Sequence, residues 1–274
     1  MDIKKTITSL ENLSQESLAF GEKFILIVEH KQINFEFFLN LKSTSDALLV
    51  LGSGAIDPKK HSLPVFHRHS WADEIACSSI FYNDPTLYLG NINIGWGQGD
   101  EEHFYLETIS NIVIKIADIL KIKPEKTTFY GSSAGGYTSL FLSGLFKGST
   151  ALVNNPQTIV YNYYQSHVLK MFEVSYKKKG LEDFPQHLRY RMNIPELYKK
   201  INYIPNIIYY QNLACEHDIN RHFNPFIKDI FELTKQKPYV KKVECHFYYD
   251  EEKGHNPMSK EETLAILNER TGKY

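Results

Sequence analysis

Residues 127–140, with the sequence TTFYGSSAGGYTSL, decide the fold that the chain predicts. Within them, GSSAG at residues 131–135 matches the pattern G-x-S-x-G, in which a serine occupies a sharp turn between a strand and a helix. β-prone residues precede the match and apolar residues at helical spacing follow it, as that turn requires. The pattern centres on Ser133, while Ser132 beside it leaves the choice of nucleophile to geometry. A Gly- and Ser-rich turn before a helix is the alternative for a match that stands alone.

An acid and a histidine follow in the chain order that this kind of serine nucleophile uses. Residues 206–210 read as a late strand, and the segment after them contains Glu216 and Asp218. We predict Asp218 as the acid, with Glu216 as the alternative and a surface carboxylate as the non-catalytic interpretation. His255 follows the last predicted strand and lies in the loop that the order requires. The predicted catalytic residues are therefore Ser133, Asp218 and His255.

The remaining pattern predicts one α/β domain, residues 1–274, with a largely parallel sheet and helices on both faces. Residues 23–30 and 33–40 read as a strand hairpin. Further strands are predicted at residues 47–51, 86–89, 127–130, 151–153, 206–210 and 241–249. A long helix is predicted to open at residues 100–102, where acidic side chains suit the positive end of the helix dipole. Residues 1–20 read as a loosely packed lead-in.

The segment at residues 159–205, called the insertion below, interrupts this alternation with many aromatic residues and an excess of basic side chains. In α/β architectures such an insertion commonly forms a lid over the active site. We therefore predict a lid or cap, and we expect Arg189 and Arg191 in it to bind an anionic substrate. A solvated helical face is the alternative.

The loop after the strand at residues 47–51 begins with GSGA. Acyl transfer at a serine needs backbone N–H groups that stabilise a negatively charged oxygen. We predict one such oxyanion donor at Ala134, in the first turn of the helix after the serine. The other is predicted at Gly54 or Ala55, with a flexible turn as the alternative.

Histidines gather in the next loop, at His61, His67 and His69, with Arg68 and Trp71 in the same run. No carboxylate accompanies these histidines at a spacing typical of metal ligands, so we predict no metal site here. The loop is instead predicted to rim the active site, with Arg68 and Trp71 binding substrate. A second possible metal site combines His217, Asp218 and His222, and we prefer the catalytic interpretation of Asp218.

The composition restricts the class of protein. The chain has 274 residues and a formal net charge of −1, which gives no global attraction to nucleic acid. Its three cysteines match neither a zinc pattern nor a disulfide framework, which indicates a reducing compartment. Residues 1–14 lack the apolar core of a signal peptide, and no apolar run reaches the about 18 residues of a membrane span. We predict a cytoplasmic protein that is not transmembrane and at most peripheral to the inner membrane.

With serine, acid and histidine in this order, the sequence resembles the α/β-hydrolase superfamily over most of its length. The runs FYGSSAGGY at 129–137, NNPQT at 154–158 and VFHRHSW at 65–71 look like a bacterial subgroup associated with surface-polysaccharide and glycoprotein assembly. That subgroup includes a component of accessory secretion systems and the capsule O-acetyltransferase of serogroup A meningococci.

The resemblance implies a serine O-acetyltransferase that modifies a bacterial capsular or surface polysaccharide through an acyl-serine intermediate. It also implies acetyl-CoA as the acyl donor, with no bound cofactor, and a saccharide or polysaccharide acceptor; the basic insertion indicates that the acceptor is anionic. A carboxylesterase or deacetylase with the same residues is the alternative, because the triad does not decide whether water or a sugar hydroxyl accepts the acyl group. A further alternative is a non-catalytic scaffold in a polysaccharide-assembly complex. A homo-oligomer or a capsule-assembly complex is also expected among its partners.

Overall fold

A computed structural model describes residues 3–236 and 239–272, and in this part of the chain a nine-stranded sheet forms the centre of the fold. Its strands are β1 (Lys4–Ser9), β2 (Lys23–His30), β3 (Ile33–Asn40), β4 (Leu48–Leu51), β5 (Ser78–Tyr82), β6 (Thr127–Ser133), β7 (Thr150–Pro156), β9 (Asn206–Asn212) and β11 (Val243–Tyr248). The short strands β8 (Tyr203–Ile204) and β10 (Tyr239–Val240) pair separately.

Helices cover the two faces of this sheet. They are α1 (Tyr105–Ile119), α2 (Ala134–Leu145), α3 (Gln165–Met171), α4 (Ile194–Ile201), α5 (Glu216–Asp218), α6 (Asn224–Lys235) and α7 (Lys260–Thr271). A π-helical turn, Ile219–Phe223, joins α5 to α6, so that one helical segment follows β9. The predicted α/β class, a mostly parallel sheet between helices, is confirmed.

The strand order is β1-β2-β3-β5-β4-β6-β7-β9-β11. Among the described strands of this sheet, β3 pairs antiparallel with both of its neighbours and every other pairing is parallel. The carboxyl ends of β4, β6, β7, β9 and β11 therefore lie along one edge of the sheet. In open α/β sheets this edge is where ligands bind.

The central strands form because their side chains are apolar and fit between two helical layers. All four residues of β4 are buried, as are the first six of β6 and the last six of β7. Such continuous burial is typical of a parallel strand covered on both faces. On one face α1 buries the apolar stripe that includes Ile109, Ile112 and Ile116.

The prediction of a strand at residues 86–89 is wrong. These residues lie in the 3₁₀ helix Pro85–Leu89. Asp84 caps the start of this helix, and its carboxylate accepts a hydrogen bond from the Thr86 N–H at 2.9 Å. The strand of this region is β5, with the sequence SSIFY, and all five of its residues are buried. Because both faces of β5 are covered, it shows no alternation of polar and apolar residues by which it could have been recognised.

The predictions of a loosely packed lead-in and of the first residues of the long helix are also wrong. Within the predicted lead-in at residues 1–20, β1 pairs in parallel with β2 over six residues, whereas residues 1 and 2 lie outside the described part. The helix predicted to open at residues 100–102 begins instead at Tyr105. Its acidic residues precede the helix because the Asp100 side chain accepts the N–H groups of Glu102 and His103 and holds a turn.

The insertion is mainly helical, contains α3 and α4, and ends in the short strand β8. Its helix α3 and residues 179–183 enclose a cavity of about 540 Å³. The predicted domain boundaries, residues 1–274, include residues 1, 2, 237, 238, 273 and 274, which lie outside the described part. Within residues 3–236 and 239–272, no helix combines the length and apolar character needed to cross a membrane.

Candidate active site

Ser133 ends β6 and lies directly before α2, which is the strand–turn–helix context that its motif requires. Its backbone angles, φ 54° and ψ −123°, lie in a region that residues other than glycine rarely adopt. Close packing of the first turn of α2 against β6 and β7 holds this conformation. A Cβ atom on Gly131 would lie 2.1 Å from the carbonyl oxygen of Gly135, and one on Gly136 would lie 2.5 Å from Cβ of Pro156. Strain that is maintained in this way is typical of functional sites.

The side chains of Ser133, His255 and Asp218 meet at this turn. Nε2 of His255 lies 2.9 Å from Oγ of Ser133, and Nδ1 of His255 lies 2.7 Å from Oδ2 of Asp218. A carboxylate only accepts hydrogen bonds, so Nδ1 of a neutral His255 carries the hydrogen and Nε2 accepts the hydrogen of the serine. Asp218 is 1% exposed, which shields its bond to the imidazole from water. This chain of hydrogen bonds suits a histidine that removes the proton of a serine nucleophile.

The geometry distinguishes these residues from their neighbours in sequence. Oγ of Ser132 instead accepts a hydrogen bond from Arg68 at 2.7 Å. Glu216 is exposed, and its carboxylate accepts a hydrogen bond from Asn220 at 3.3 Å. Of the two candidate serines and two candidate acids, the structure therefore brings Ser133 and Asp218 to His255.

Two asparagines that the sequence analysis did not assign to the site hold the loop that carries His255. Asn155 donates to the carbonyl oxygens of His255 and Asn256, at 3.3 and 3.2 Å. Asn212, at the end of β9, donates to the carbonyl oxygens of Asp250 and Gly254, at 2.7 and 2.9 Å. These bonds fix the loop after β11 against the ends of two neighbouring strands.

Gln157 also contacts the nucleophile and was not predicted. Its Nε2 donates to Oγ of Ser133 at 3.1 Å, and its backbone N–H donates to the carbonyl oxygen of the same residue at 3.0 Å. Its Oε1 accepts a hydrogen bond from the indole Nε1 of Trp96. The available signal was the run NNPQT, because it follows an apolar strand and ligands bind at the carboxyl ends of such strands.

The surroundings of Asp218 contain the residues of the alternative metal site. Nδ1 of His217 lies 3.7 Å from Oδ1 of Asp218. Burial lowers the pKa of His222 to about 3, and its Nδ1 faces the backbone N–H of Thr158 at 3.4 Å. His222 is therefore neutral, and one of its ring nitrogens is already engaged by the backbone.

A different set of potential ligands surrounds the acid. Single atoms of Cys215, Asp218 and His255 lie within 4.8 Å of one another. Burial raises the pKa of the Cys215 thiol, which disfavours the thiolate form that binds metal ions. Asp218 and His255 direct their facing atoms at each other, so the hydrogen-bonded pair explains this cluster.

The predicted oxyanion donors differ in their availability. Ala134 is the first residue of α2, and an N–H at that position has no acceptor within its own helix. The N–H of Gly54 already donates to Nδ1 of His67 at 3.1 Å. Burial and the nearby positive charge of Arg68 lower the pKa of His67 to about 4, so its ring is neutral and can accept that bond. Ala55 is exposed.

Arg68 and Trp71, predicted to bind substrate, lie next to the serine turn. The guanidinium of Arg68 is 5.4 Å from the centres of both the Trp71 and the Tyr130 rings, and it donates to Ser132. It also lines a groove of about 540 Å³, called the basic groove below. The polar residues of the basic groove include Lys60, His61, His67, Arg68 and His69.

The role expected for Arg191 needs correction. Arg191 is 7% exposed and donates to the backbone carbonyls of Asp100 and Glu101, at 3.1 and 3.2 Å. Its guanidinium also lies 4.9 Å from the centre of the Phe104 ring. These contacts join the insertion to the loop before α1, so the structure favours a structural role over substrate binding. Nε of Arg189 is buried and has no hydrogen-bond partner among the described residues.

The insertion reaches the surroundings of the acid through aromatic side chains. Tyr164 stacks on His217 with ring centres 4.6 Å apart, and Tyr163 lies edge-on to the same ring at 6.4 Å. Tyr163 also contacts Trp96, the residue that binds Gln157, at 5.9 Å. The start of the insertion therefore flanks the site, and the lid function remains a prediction.

No family model matches the chain, and no curated protein matches it at a significant level. Solved structures, however, superpose over nearly all of it. The capsule O-acetyltransferase of Neisseria meningitidis serogroup A gives a TM-score of 0.61 at 16% identity, over 94% of this chain and 96% of that chain. An S-formylglutathione hydrolase from Agrobacterium tumefaciens gives 0.58 at 11% identity, over 93% and 95% of the two chains.

The chain has the α/β-hydrolase fold. A glycosylation-associated protein complex (Gap123) from Streptococcus agalactiae shares it, with a TM-score of 0.57 at 12% identity over 88% of this chain and 44% of that chain. The structural neighbours thus include acetyltransferase and hydrolase enzymes and a complex associated with glycosylation. The predicted resemblance to this superfamily and to its polysaccharide-associated members is confirmed at the level of the fold.

Proposed function

We propose that this protein transfers an acyl group through a covalent intermediate on Ser133. The observation that carries the proposal is the hydrogen-bonded chain from Ser133 through His255 to the buried Asp218. His255 removes the hydroxyl proton as Oγ attacks the acyl carbon, and Asp218 orients the imidazole and stabilises its charged form. His255 then donates the proton to the leaving group.

The negative charge that forms on the acyl oxygen requires hydrogen-bond donors. The N–H of Ala134 is the first, and such a donor contributes on the order of 3 kcal/mol to transition-state stabilisation. The second is an N–H of the loop after β4. Ala55 provides it directly, or Gly54 provides it by exchanging its bond to His67 for one to the substrate.

The acyl acceptor that we propose is a hydroxyl group of a bacterial capsular or surface polysaccharide, with acetyl-CoA as the donor substrate. Support comes from the fold shared with a capsule O-acetyltransferase, one of whose structures is a complex with CoA. The basic groove beside the serine turn provides positive charge for an anionic donor or acceptor. We place this reaction in the cytoplasm, where the three free cysteines are compatible with a reducing environment.

The alternative function is that of a carboxylesterase or deacetylase. It uses the same three residues and differs only in the acceptor, which is water. The fold shared with an S-formylglutathione hydrolase and with a fungal carboxyl esterase supports it. Which acceptor reacts depends on whether the insertion excludes water from the acyl-serine.

One assay separates these functions. The protein is mixed with acetyl-CoA or with a neutral acetate ester, each with and without a panel of bacterial saccharides. Release of CoA that depends on a saccharide supports the transferase, and hydrolysis that is independent of saccharide supports the esterase. If a fluorophosphonate probe labels neither the native protein nor Ser132→Ala, the acyl-serine proposal is wrong and a scaffold is the remaining interpretation.

A further inference from the structure

Gln157 holds the nucleophile by two groups. Its Nε2 is 3.1 Å from Oγ of Ser133, and its backbone N–H is 3.0 Å from the carbonyl oxygen of Ser133. Gln157 is fully buried, which shields its amide from water. A single residue thereby fixes both the strained backbone and the side chain of Ser133.

Trp96 determines which way the amide of Gln157 faces. An indole N–H only donates, so the atom of Gln157 that it contacts is Oε1 and the NH₂ group faces Ser133. Trp96 is 1% exposed and lies in a loop fixed by Asp84, whose carboxylate accepts the N–H of Gly97 at 2.8 Å. The amide is thus held in one orientation before any substrate binds.

This arrangement also settles where the single hydrogen of the Ser133 hydroxyl points. A hydroxyl group has one hydrogen and two acceptor positions. Since Nε2 of Gln157 only donates, Oγ accepts from Gln157 and directs its own hydrogen to Nε2 of His255. With His255 neutral and its hydrogen on Nδ1, the three contacts are mutually consistent only in this arrangement.

We propose that Gln157 is a catalytic residue that stabilises negative charge on Oγ of Ser133, and that Trp96 is the residue that positions it. This inference rests on the acyl-serine mechanism proposed above. In the second half-reaction the acceptor hydroxyl bonds to the acyl carbon and gives its proton to His255. The bond between the acyl carbon and Oγ then breaks, its electron pair moves to Oγ, and His255 returns the proton to Oγ. Nε2 of Gln157 donates to Oγ while that charge forms.

The two half-reactions depend on this hydrogen bond to different degrees. During acylation the hydrogen bond from Gln157 orients the Ser133 hydroxyl, which favours the reaction. It also engages an electron pair of the attacking Oγ, which makes Oγ less nucleophilic, so the two effects on the acylation rate partly cancel. During transfer to the acceptor Oγ is the leaving group, and a donor to it only helps. Gln157 is therefore expected to accelerate release of the acyl group more than its formation.

The test uses 4-nitrophenyl acetate as the probe, with the initial burst reporting acylation and the steady state reporting release of acetate. Gln157→Leu is expected to slow the steady state by ~30-fold and the burst by less than ~5-fold, since a hydrogen bond to a charged oxygen accounts for about one to two factors of ten. Trp96→Phe is expected to slow release by ~5-fold, and the double variant should be no slower than Gln157→Leu alone.

Gln98→Leu is the matched control. Gln98 is also fully buried, and it donates to the carbonyl oxygen of Arg191 at 2.7 Å and accepts from Tyr176 at 2.8 Å. Its loss should lower thermal stability without changing the ratio of the two half-reaction rates. The proposal is overturned if Gln157→Leu leaves that ratio within twofold of the native value, or if Gln98→Leu changes it equally.

Gln157→Glu gives a second readout in case Gln157→Leu does not fold. The introduced carboxylate cannot donate to Oγ, but its protonated form can, and burial raises the pKa of such a group. The release rate relative to native protein should therefore rise as the pH falls, and a constant ratio contradicts the proposal. A protein that acylates but never transfers to a saccharide contradicts only the proposed acceptor, whereas failure of the fluorophosphonate to label Ser133 contradicts both.

Discussion

Nδ2 of Asn155, at the carboxyl end of β7, donates a hydrogen bond to the carbonyl oxygen of His255 at 3.3 Å. The Oδ1 atom of Asn155 accepts the backbone N–H of Asn212 at 2.7 Å, at the end of β9. One buried side chain thus connects the loop that carries the histidine with the strand that leads to Asp218. The position of His255 is therefore determined by backbone contacts as well as by its own side chain.

Asn155→Asp keeps the acceptor for Asn212 and replaces the donor that His255 requires with an oxygen. We expect the free energy of unfolding to fall by about 1–3 kcal/mol, because the carbonyl oxygens of His255 and Asn256 lose their donor and face a carboxylate oxygen. The rate of fluorophosphonate labelling should fall as well, since His255 is held less firmly. Urea denaturation and labelling kinetics measure the two effects. Asn162→Asp is the matched control, because the Asn162 amide donates to the carbonyl oxygen of Arg221 at an exposed position; equal losses in both variants would contradict the prediction.

Asp218→Asn is expected to lower kcat by about 10³- to 10⁴-fold without loss of the fold. An amide that donates to Nδ1 of His255 stabilises the wrong tautomer of the imidazole and no longer stabilises its charged form. Turnover of a small acetate ester measures the effect. Glu216→Gln, two residues away on the exposed side of α5, should retain activity within about twofold. A large loss in the Glu216 variant together with a small one in the Asp218 variant would reverse the assignment of the acid.

The stability of the protein is expected to decrease as the pH falls from 6.5 towards 4. His222 has a folded pKa of about 3 and His67 one of about 4, both lowered mainly by burial, whereas the unfolded value is about 6.5. The unfolded chain therefore binds more protons in this range, and stability that is complete above pH 6.5 is lost on acidification. Each residue should cost about 2 kcal/mol between pH 6.5 and pH 5.

His222→Asn tests whether His222 causes part of this loss of stability at low pH. The substitution removes the titrating ring, while an amide oxygen can replace Nδ1 as the acceptor for the N–H of Thr158. The slope of unfolding free energy against pH, measured in urea at several pH values, should fall by about half. His187→Asn, at an exposed position, should leave the slope unchanged. An unchanged slope in the His222 variant would show that acid destabilisation arises elsewhere.

The mostly parallel sheet and the positions of Ser133, Asp218 and His255 at one edge of it follow from local sequence. Ser133 ends a strand, Asp218 and His255 lie in the loops that follow two later strands, and the carboxyl ends of parallel strands share one edge. β5 was not predictable in this way, since burial on both faces removes its alternation. Pro85 and Asp84 produced a helical turn where an apolar run indicated a strand.

Contacts between distant segments were the part of the site that the sequence did not reveal. The bond from Gln157 to Ser133 depends on the register of β7 against β6, where the pairing shifts between Ser132 and Ser133. Likewise, the basic composition of the insertion predicted that Arg191 binds substrate. Its guanidinium instead donates to the backbone carbonyl of Asp100, in a loop about 90 residues earlier in the chain. Side chains that pair with backbone groups far along the chain leave no periodic pattern.

Arg68 and Arg191 are expected to behave differently when their charges are removed. Arg68→Gln should raise KM for acetyl-CoA about tenfold relative to KM for a neutral acetate ester, because the guanidinium lines the basic groove. Arg191→Met should instead lower the free energy of unfolding by about 2–4 kcal/mol, since two backbone carbonyls lose a charged donor. Steady-state kinetics and urea denaturation separate the two results. A change in the KM ratio for the Arg191 variant alone would restore the original expectation of a basic substrate wall.

The strained turn at Ser133 depends on space beside the first turn of α2, and Gly136→Ala tests that dependence. The added Cβ would lie 2.5 Å from Cβ of Pro156, so β7 or the helix must move. We expect a loss of about 1–3 kcal/mol in the free energy of unfolding, as for other overpacked sites. Fluorophosphonate labelling should slow in the same variant, because a displaced helix misaligns Ser133 with His255. Gly180→Ala is the matched control, since its nearest contact would be an ordinary 3.4 Å from a flexible leucine. If both alanine variants unfold at the same urea concentration, close packing at Gly136 does not maintain the turn, and its strain must be balanced by the hydrogen bonds of Gln157 and His255 instead.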